Sequence, residues 1–229
     1  MSKRCARPNA RLRRSEMNVG GHGVVVVSVN VGLPRTVDWH GHQVTSSIWK
    51  LPVQGSVAVE GVNLVGDDQA DRRVHGGVDK AVYAYAREDY DWWATTTGPL
   101  SPGTFGENFT TVGIDLSASH IGDRWQVGST ELEVAQPRQP CYKLGLRMDD
   151  DGFPGVFAAA RRPGAYLRII TAGVVQAGDT IEVRRATLPA VRIDSLVDDD
   201  IDDDVWRQVV ADPRVPDGWR RAAVRSLGR

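Results

Sequence analysis

Short β-branched runs, closed off every few residues by glycine, constrain this chain most. The first opens at Gly23 and runs Val24 to Val27, then Ser28, Val29, Asn30 and Val31. A run this short and rich in valine reads as a buried strand rather than a helix. Further strands are expected at 47–50, 57–60, 81–86, 124–127, 131–135, 166–170 and 180–184. In 131–135, Leu132 and Val134 alternate with Glu131 and Glu133, the period of a strand with one buried face. Many short strands with glycine-rich connections predict a mainly β fold with added helix (α+β), a barrel or sandwich rather than a doubly wound sheet. Gly122-Asp123 and Gly178-Asp179 each lead into a strand, so both aspartates read as turn residues. Gly66-Asp67 differs, because it opens a denser polar stretch.

One helix is expected at 88–95, where Tyr90, Trp93 and Ala94 recur at helical spacing before Gly98-Pro99 stops it. Trp92-Trp93 is expected in the core. Near residue 186 the alternation ends and helical stripes replace it. Val205, Trp206, Val209 and Val210 follow Asp204 as N-cap, while Trp219, Ala223 and Leu227 follow Pro216. A shorter third helix fits Ile193, Leu196 and Val197. The division expected is a β-barrel domain over 24–185 and a separately packed three-helix appendage over 186–229. The acidic run 198–204 lacks the glycine and final glutamate of a calcium loop, so it reads as a solvated, capping loop. Residues 1–18 are basic without an apolar stretch and read as a disordered lead-in, with Met17 as an alternative start. Deleting 1–16 is expected to leave folding unchanged. A basic arm for nucleic acid is the weaker reading of that segment.

Lys and Arg number 28 against 29 Asp and Glu, too even a balance for a duplex-DNA binder, so no nucleic-acid partner is expected. Cys5 and Cys141 make no disulfide framework, which points to a reducing cytoplasm. No apolar run reaches the ~18 residues of a membrane span, so no membrane partner is expected either.

Two stretches carry chemistry. Residues 66–80 gather Asp67, Asp68, Asp71, Arg72, Arg73, His75 and Lys80 around Gly76-Gly77. Paired glycines let backbone N–H groups approach an anion, and the cations could hold it, arginine bidentately. The plainer alternative is a solvated loop of internal ion pairs. The second stretch places Cys141 after Pro137 and Pro140, between Arg138 and Lys143. Neighbouring cations favour a thiolate, the form that ligates soft metals or attacks sulfur. The prolines argue against an inert cysteine in a core strand. His40-Gly41-His42 lacks a second ligand pair for zinc and reads as a polar loop. Gly-x-Ser-x-Gly and a Walker-type lysine loop are absent, and a Cys141–His75 pair has no orienting element beside it.

At these stretches the chain resembles the MOSC family, named for the C-terminal domain of molybdenum cofactor sulfurase, and within it the YiiM-like branch. The matching blocks are 50–53, 66–85, 102–110 (which includes Asn108), 121–123, 136–144 and 173–179, in family order. The tail fits as well, through Asp217-Gly218-Trp219-Arg220. Val78, where proline often follows the double glycine, and Asp149-Asp150-Asp151 depart from the pattern.

The resemblance implies a MOSC-type β-barrel followed by a small three-helix domain. It implies that Cys141 is essential, as molybdenum ligand or as persulfide carrier. Arg72, Arg73, His75, Gly76, Gly77, Lys80, Asn108, Arg138 and Lys143 are the residues expected to hold the molybdenum cofactor (molybdopterin). The favoured activity is reduction of N-hydroxylated compounds such as hydroxylaminopurines. A separate electron-donating reductase is then required, since two cysteines cannot hold an iron–sulfur cluster. The alternatives are sulfur transfer to the cofactor, fed by a cysteine desulfurase, and storage or delivery of the cofactor without turnover. The chain carries no pyridoxal phosphate lysine motif of the kind fused in sulfurases.

Overall fold

The computed structural model describes residues 23–70, 76–198 and 200–228. Eight strands make one curled sheet, in the order β13-β9-β10-β11-β7-β8-β1-β4. Their ranges are β1 Val25–Val31, β4 Leu51–Pro52, β7 Val82–Ala86 and β8 Phe109–Val112. The others are β9 Arg124–Val127, β10 Thr130–Gln136, β11 Ala165–Thr171 and β13 Ile181–Arg184. Every pairing is antiparallel except β7 with β8. Ile181 N donates to Val24 O (2.7 Å) and Val26 N to Asp179 O (2.9 Å). These bonds bring β13 back against β1, so the sheet curls into the barrel that the glycine-punctuated strands predict. Asp123 accepts from the backbone N–H of His120 and Ala186, and Asp179 from that of Gln176, which are the turn roles expected of both.

β7 explains why two cores exist. Its Val82, Ala84 and Ala86 point into the barrel core, while Tyr83 and Tyr85 point the other way into an aromatic cluster. A strand buried on both faces carries an unbroken apolar run, and 81–86 is one. Helices α1 (Arg87–Thr97), α2 (Tyr142–Met148) and α3 (Phe153–Ala160) cover that second face. Trp93, wholly buried on α1, stacks on Phe157 of α3 and donates Nε1–H to Tyr85 Oη (2.8 Å), as core placement of the pair Trp92-Trp93 requires.

Several expectations are corrected. Residues 47–50 form no ladder; they are an irregular segment lying on other backbone. A Cβ on Gly32 would meet Trp49 O at 2.5 Å, and one on Gly103, which also has φ +83°, would meet Lys50 O at 2.4 Å. Close approach, not pairing, fixes their path. The strand pair β2 (Arg35–Trp39) and β3 (His42–Ser46) went unread. His40 (φ 54°) and Gly41 (φ 77°) make its two-residue turn, so this histidine motif is hairpin chemistry. A small sheet of β12 (Gly173–Val175), β5 (Val57–Glu60) and β6 (Asn63–Leu64) completes the β structure.

The tail contains α4 (Asp203–Ala211), α5 (Asp217–Leu227) and a single 3-10 turn, Asp194–Leu196, where a third helix was expected. Asp202, not Asp204, caps α4, accepting from Asp204 N (2.7 Å). Nor is the tail separately packed: Val191, Ile193, Leu196, Val209, Trp219 and Ala223 belong to the barrel's own core. Two amphipathic helices alone bury too little surface, and the sheet supplies the missing face. Among the described residues no helix is long and apolar enough to cross a membrane.

Candidate active site

β10 ends at Gln136, and the segment 137–140 carries the chain to Cys141, the N-cap of α2. Leu144, fully buried in the aromatic cluster, anchors that helix. Cys141 is extended (φ −135°, ψ 171°) and its side chain makes no capping hydrogen bond. The thiol is therefore half-buried, free of any disulfide and uncommitted to the helix.

It borders a cleft of about 90 Å³, partly open to solvent. The 46–50 segment contributes Ser46, Ser47, Ile48 and Lys50; the 67–70 segment contributes Asp67 and Gln69. Lys80, Arg138 and Lys143 bring cations to the same space, and Tyr83 and Tyr166 bring rings 4.9 Å apart. Of the expected cofactor residues, the cleft thus unites Lys80, Asn108, Arg138 and Lys143 with Cys141. Gly76 and Gly77 do not border it. Gly77 instead starts the 3-10 turn that carries Lys80, at φ 94°, with its carbonyl accepting Lys80 N (3.0 Å). Among the described residues, a Cβ there would meet nothing within 4 Å. Arg72, Arg73 and His75 lie outside the described residues.

Asn108 borders the cleft but its amide is spent on the fold. Oδ1 accepts Tyr83 N (3.0 Å), while Nδ2 donates to Asp67 Oδ2 (2.8 Å) and Asn30 O (3.3 Å). This side chain ties the parallel pair β7–β8 to Asp67 rather than reaching for a ligand. Asp67 in turn accepts Gly32 N (2.9 Å) and forms a buried ion pair with Lys50. Burial pushes the Lys50 amine below its usual range, against the opposing pull of Asp67. Burial also lowers the Lys80 amine, while Asp79 and Cys141 act the other way. Arg138 is buried, donates Nη1–H to Phe105 O and lies over the Tyr83 ring at 4.9 Å. Burial opposes its charge, but Tyr83, Tyr166 and Cys141 hold its pKa above the usual value.

Lys50, Ser47, Tyr83 and Tyr166 join the site beyond the residues expected there, as do Asp67 and Gln69 of the 66–80 stretch. A lysine inside the apolar stretch Ile48-Trp49-Lys50-Leu51 was the available signal, since buried lysines need a partner. The donor set, a thiol beside several cations, suits an anionic group that carries a soft atom. Two residues lining the cleft, Ser47 and Gln69, each carry a buried oxygen (Oγ and Oε1) with no hydrogen-bond partner among the described residues. Such orphaned atoms mark places where a ligand or water completes the bonding. A thiol supplies a soft ligand, and the neighbouring cations suit a phosphate.

A family model for the MOSC domain matches residues 71–182. The uncharacterized protein YflK of Bacillus subtilis (strain 168) is 35% identical over 159 residues, 69% of this chain and 72% of that protein. Protein YiiM of Escherichia coli (strain K12) is 34% identical over 143 residues, 60% of this chain and 63% of YiiM. A protein named reductase, from Gibberella moniliformis, is 30% identical over 154 residues, but these span only 27% of its length. The crystal structure of YiiM from Geobacillus stearothermophilus superposes with a TM-score of 0.73 at 28% identity, over 89% of this chain and 99% of that one. A curled barrel with C-terminal helices, the cysteine loop at its cleft and this set of relatives agree: the chain belongs to the MOSC-domain family, in its YiiM-like branch.

Proposed function

We propose that the cleft binds a molybdenum cofactor through Cys141 and that the protein reduces N-hydroxylated compounds, hydroxylaminopurines among them. The observation that carries this reading is an uncommitted thiol bordering a cleft with Lys80, Arg138 and Lys143. A relative named reductase supports oxidoreduction as the class of activity. When bound, the cofactor would supply the two-electron redox chemistry, and the protein's part is to bind and orient it. Cys141 would hold the metal as a thiolate, the soft donor such a metal prefers. Lys80 and Lys143 would hold the anionic end, with Arg72, Arg73 and His75 as further candidates for that role. Ser47 would donate and Gln69 accept hydrogen bonds at the ring system, satisfying the two oxygens otherwise left without partners. Electrons would come from a separate reductase.

Cys141→Ser tests the proposal. Serine nearly matches cysteine in size and is a favoured N-cap, so in cofactor-free protein the melting temperature should hold or rise slightly. Its hydroxyl is a hard, protonated donor near neutral pH and does not replace a thiolate on molybdenum. Protein made in a cofactor-competent host should contain molybdenum and pterin, and the variant should lose or loosen the metal and lose N-reduction. Parent protein without molybdenum or pterin, or a variant that reduces N-hydroxylated bases at the parent rate, would refute the reading.

A further inference from the structure

A second cavity of about 230 Å³ lies behind the cysteine loop. Its walls come from three places: Arg138, Gln139 and Pro140 of that loop, Phe157 to Pro163 around the end of α3, and the tail residues Leu196 to Asp198. Three arginines face it, but two are already neutralised. Arg161 pairs with Asp198, and Arg162 pairs with Asp89 while lying over the Trp92 ring at 4.5 Å. Arg138 differs. It is 7% exposed, donates to a neutral carbonyl, that of Phe105, and lies over Tyr83 and Phe157, and no carboxylate of the described residues pairs with it. Burying a guanidinium with no carboxylate beside it is costly, and an anion placed against it offsets that cost.

We infer that this cavity is a binding site for a small organic carboxylate with a flat, apolar body. A carboxylate matches the fork of a guanidinium bidentately. Pro140, Phe157, Pro163, Leu196 and Val197 make most of the remaining wall apolar, which suits a ring or short chain rather than a hydrated ion. That apolar wall also disfavours a strongly hydrated dianion such as phosphate. Arg138 also borders the Cys141 cleft, so an occupant here would share one cation with whatever the cleft holds.

Benzoate is the probe, titrated into the full chain while the backbone amide signals of Gln139 and Ala158 are followed by NMR. Both should shift saturably, with a dissociation constant of about 1 mM, the strength expected of so small a ligand. Inorganic phosphate at the same concentrations should leave the Ala158 signal in place. Ala158 is exposed on α3, so Ala158→Trp should fill the cavity mouth without unfolding the protein and weaken benzoate about tenfold or more. Ala158→Ser should bind as the parent does. Shifts absent in the parent, equal shifts with phosphate, or undiminished affinity in Ala158→Trp would each overturn the assignment. Should Ala158→Trp fail to fold, the parent's amide shifts with benzoate and phosphate still decide it.

Discussion

Glu107 shows how one buried residue sets a pH response. Tyr90 Oη–H (2.6 Å), Gly103 N–H (2.6 Å) and Thr110 Oγ1–H (2.8 Å) all donate to its Oε1, and each favours the ionised form. Burial outweighs them and raises its pKa above 4.5. An acid with a raised folded pKa holds more protons folded than unfolded in the window between the two values. Its contribution to stability is therefore present below about pH 4.5 and is lost as pH rises through the raised folded value. Glu107→Gln keeps an acceptor for the three donors and removes the charge. Its melting temperature should vary less than the parent's as pH rises from about 4.5. Parallel melting curves for the two proteins across that range would contradict this. The Lys50–Asp67 pair makes the complementary case. Asp67→Asn would leave a buried ammonium with no counter-charge, and breaking such a pair costs about 3–5 kcal/mol. Chemical denaturation of that variant should show the loss as a lowered midpoint.

At the scale of elements, the C-terminal helices reach the candidate site through hydrogen bonds. Trp219 of α5 donates Nε1–H to Gln136 Oε1 (3.1 Å), and Gln136 donates Nε2–H to Asp79 O (3.0 Å), next to Lys80. Arg168 of β11 pairs with the Asp79 carboxylate and donates to Arg214 O (2.8 Å) from the tail. The turn bearing Lys80 is thus held from the tail as well as from the barrel. Trp219→Phe keeps an aromatic ring, though a smaller one, and strands the Gln136 oxygen, a loss of about 1–3 kcal/mol. Trp219→Ala also opens a cavity and should cost about 3–5 kcal/mol. Urea midpoints that fall in that order, with unchanged slope, are the expected result. Equal midpoints for the Phe variant and the parent would mean that the Gln136 bond contributes nothing.

For the whole molecule, the continuous core implies that barrel and tail fold together. Beyond the shared apolar residues, Ile121 N donates to Val191 O (2.8 Å) and Ile193 N to Ser119 O (2.9 Å), so backbone bonds cross the boundary near residue 186. A chain cut after Arg185 should expose the face that Val209, Trp219 and Ala223 cover. It should bind a hydrophobic dye such as ANS and lose its cooperative melt, the marks of a loosened core. A truncated chain that melts cooperatively near the parent's temperature would show that the barrel is self-sufficient.

What the sequence determined alone was local. The valine run at 24–31, the alternation in 131–135 and the turn aspartates Asp123 and Asp179 depend on backbone preference and on nearest neighbours, so they are legible without any partner. Cys141 between two cations after Pro137 and Pro140 was legible for the same reason. Tertiary structure decided whatever required distant segments to meet. Residues 47–50 look like a strand, yet they settle against Gly32 and Gly103 and pair with nothing. Asn108 looks like a ligand residue, but chain closure brings Tyr83, Asp67 and Asn30 to consume its amide. The tail looks self-contained because amphipathic spacing marks a buried face without naming what buries it. The barrel is what buries it here, since only the closed sheet offers an apolar surface broad enough to complete those two helices.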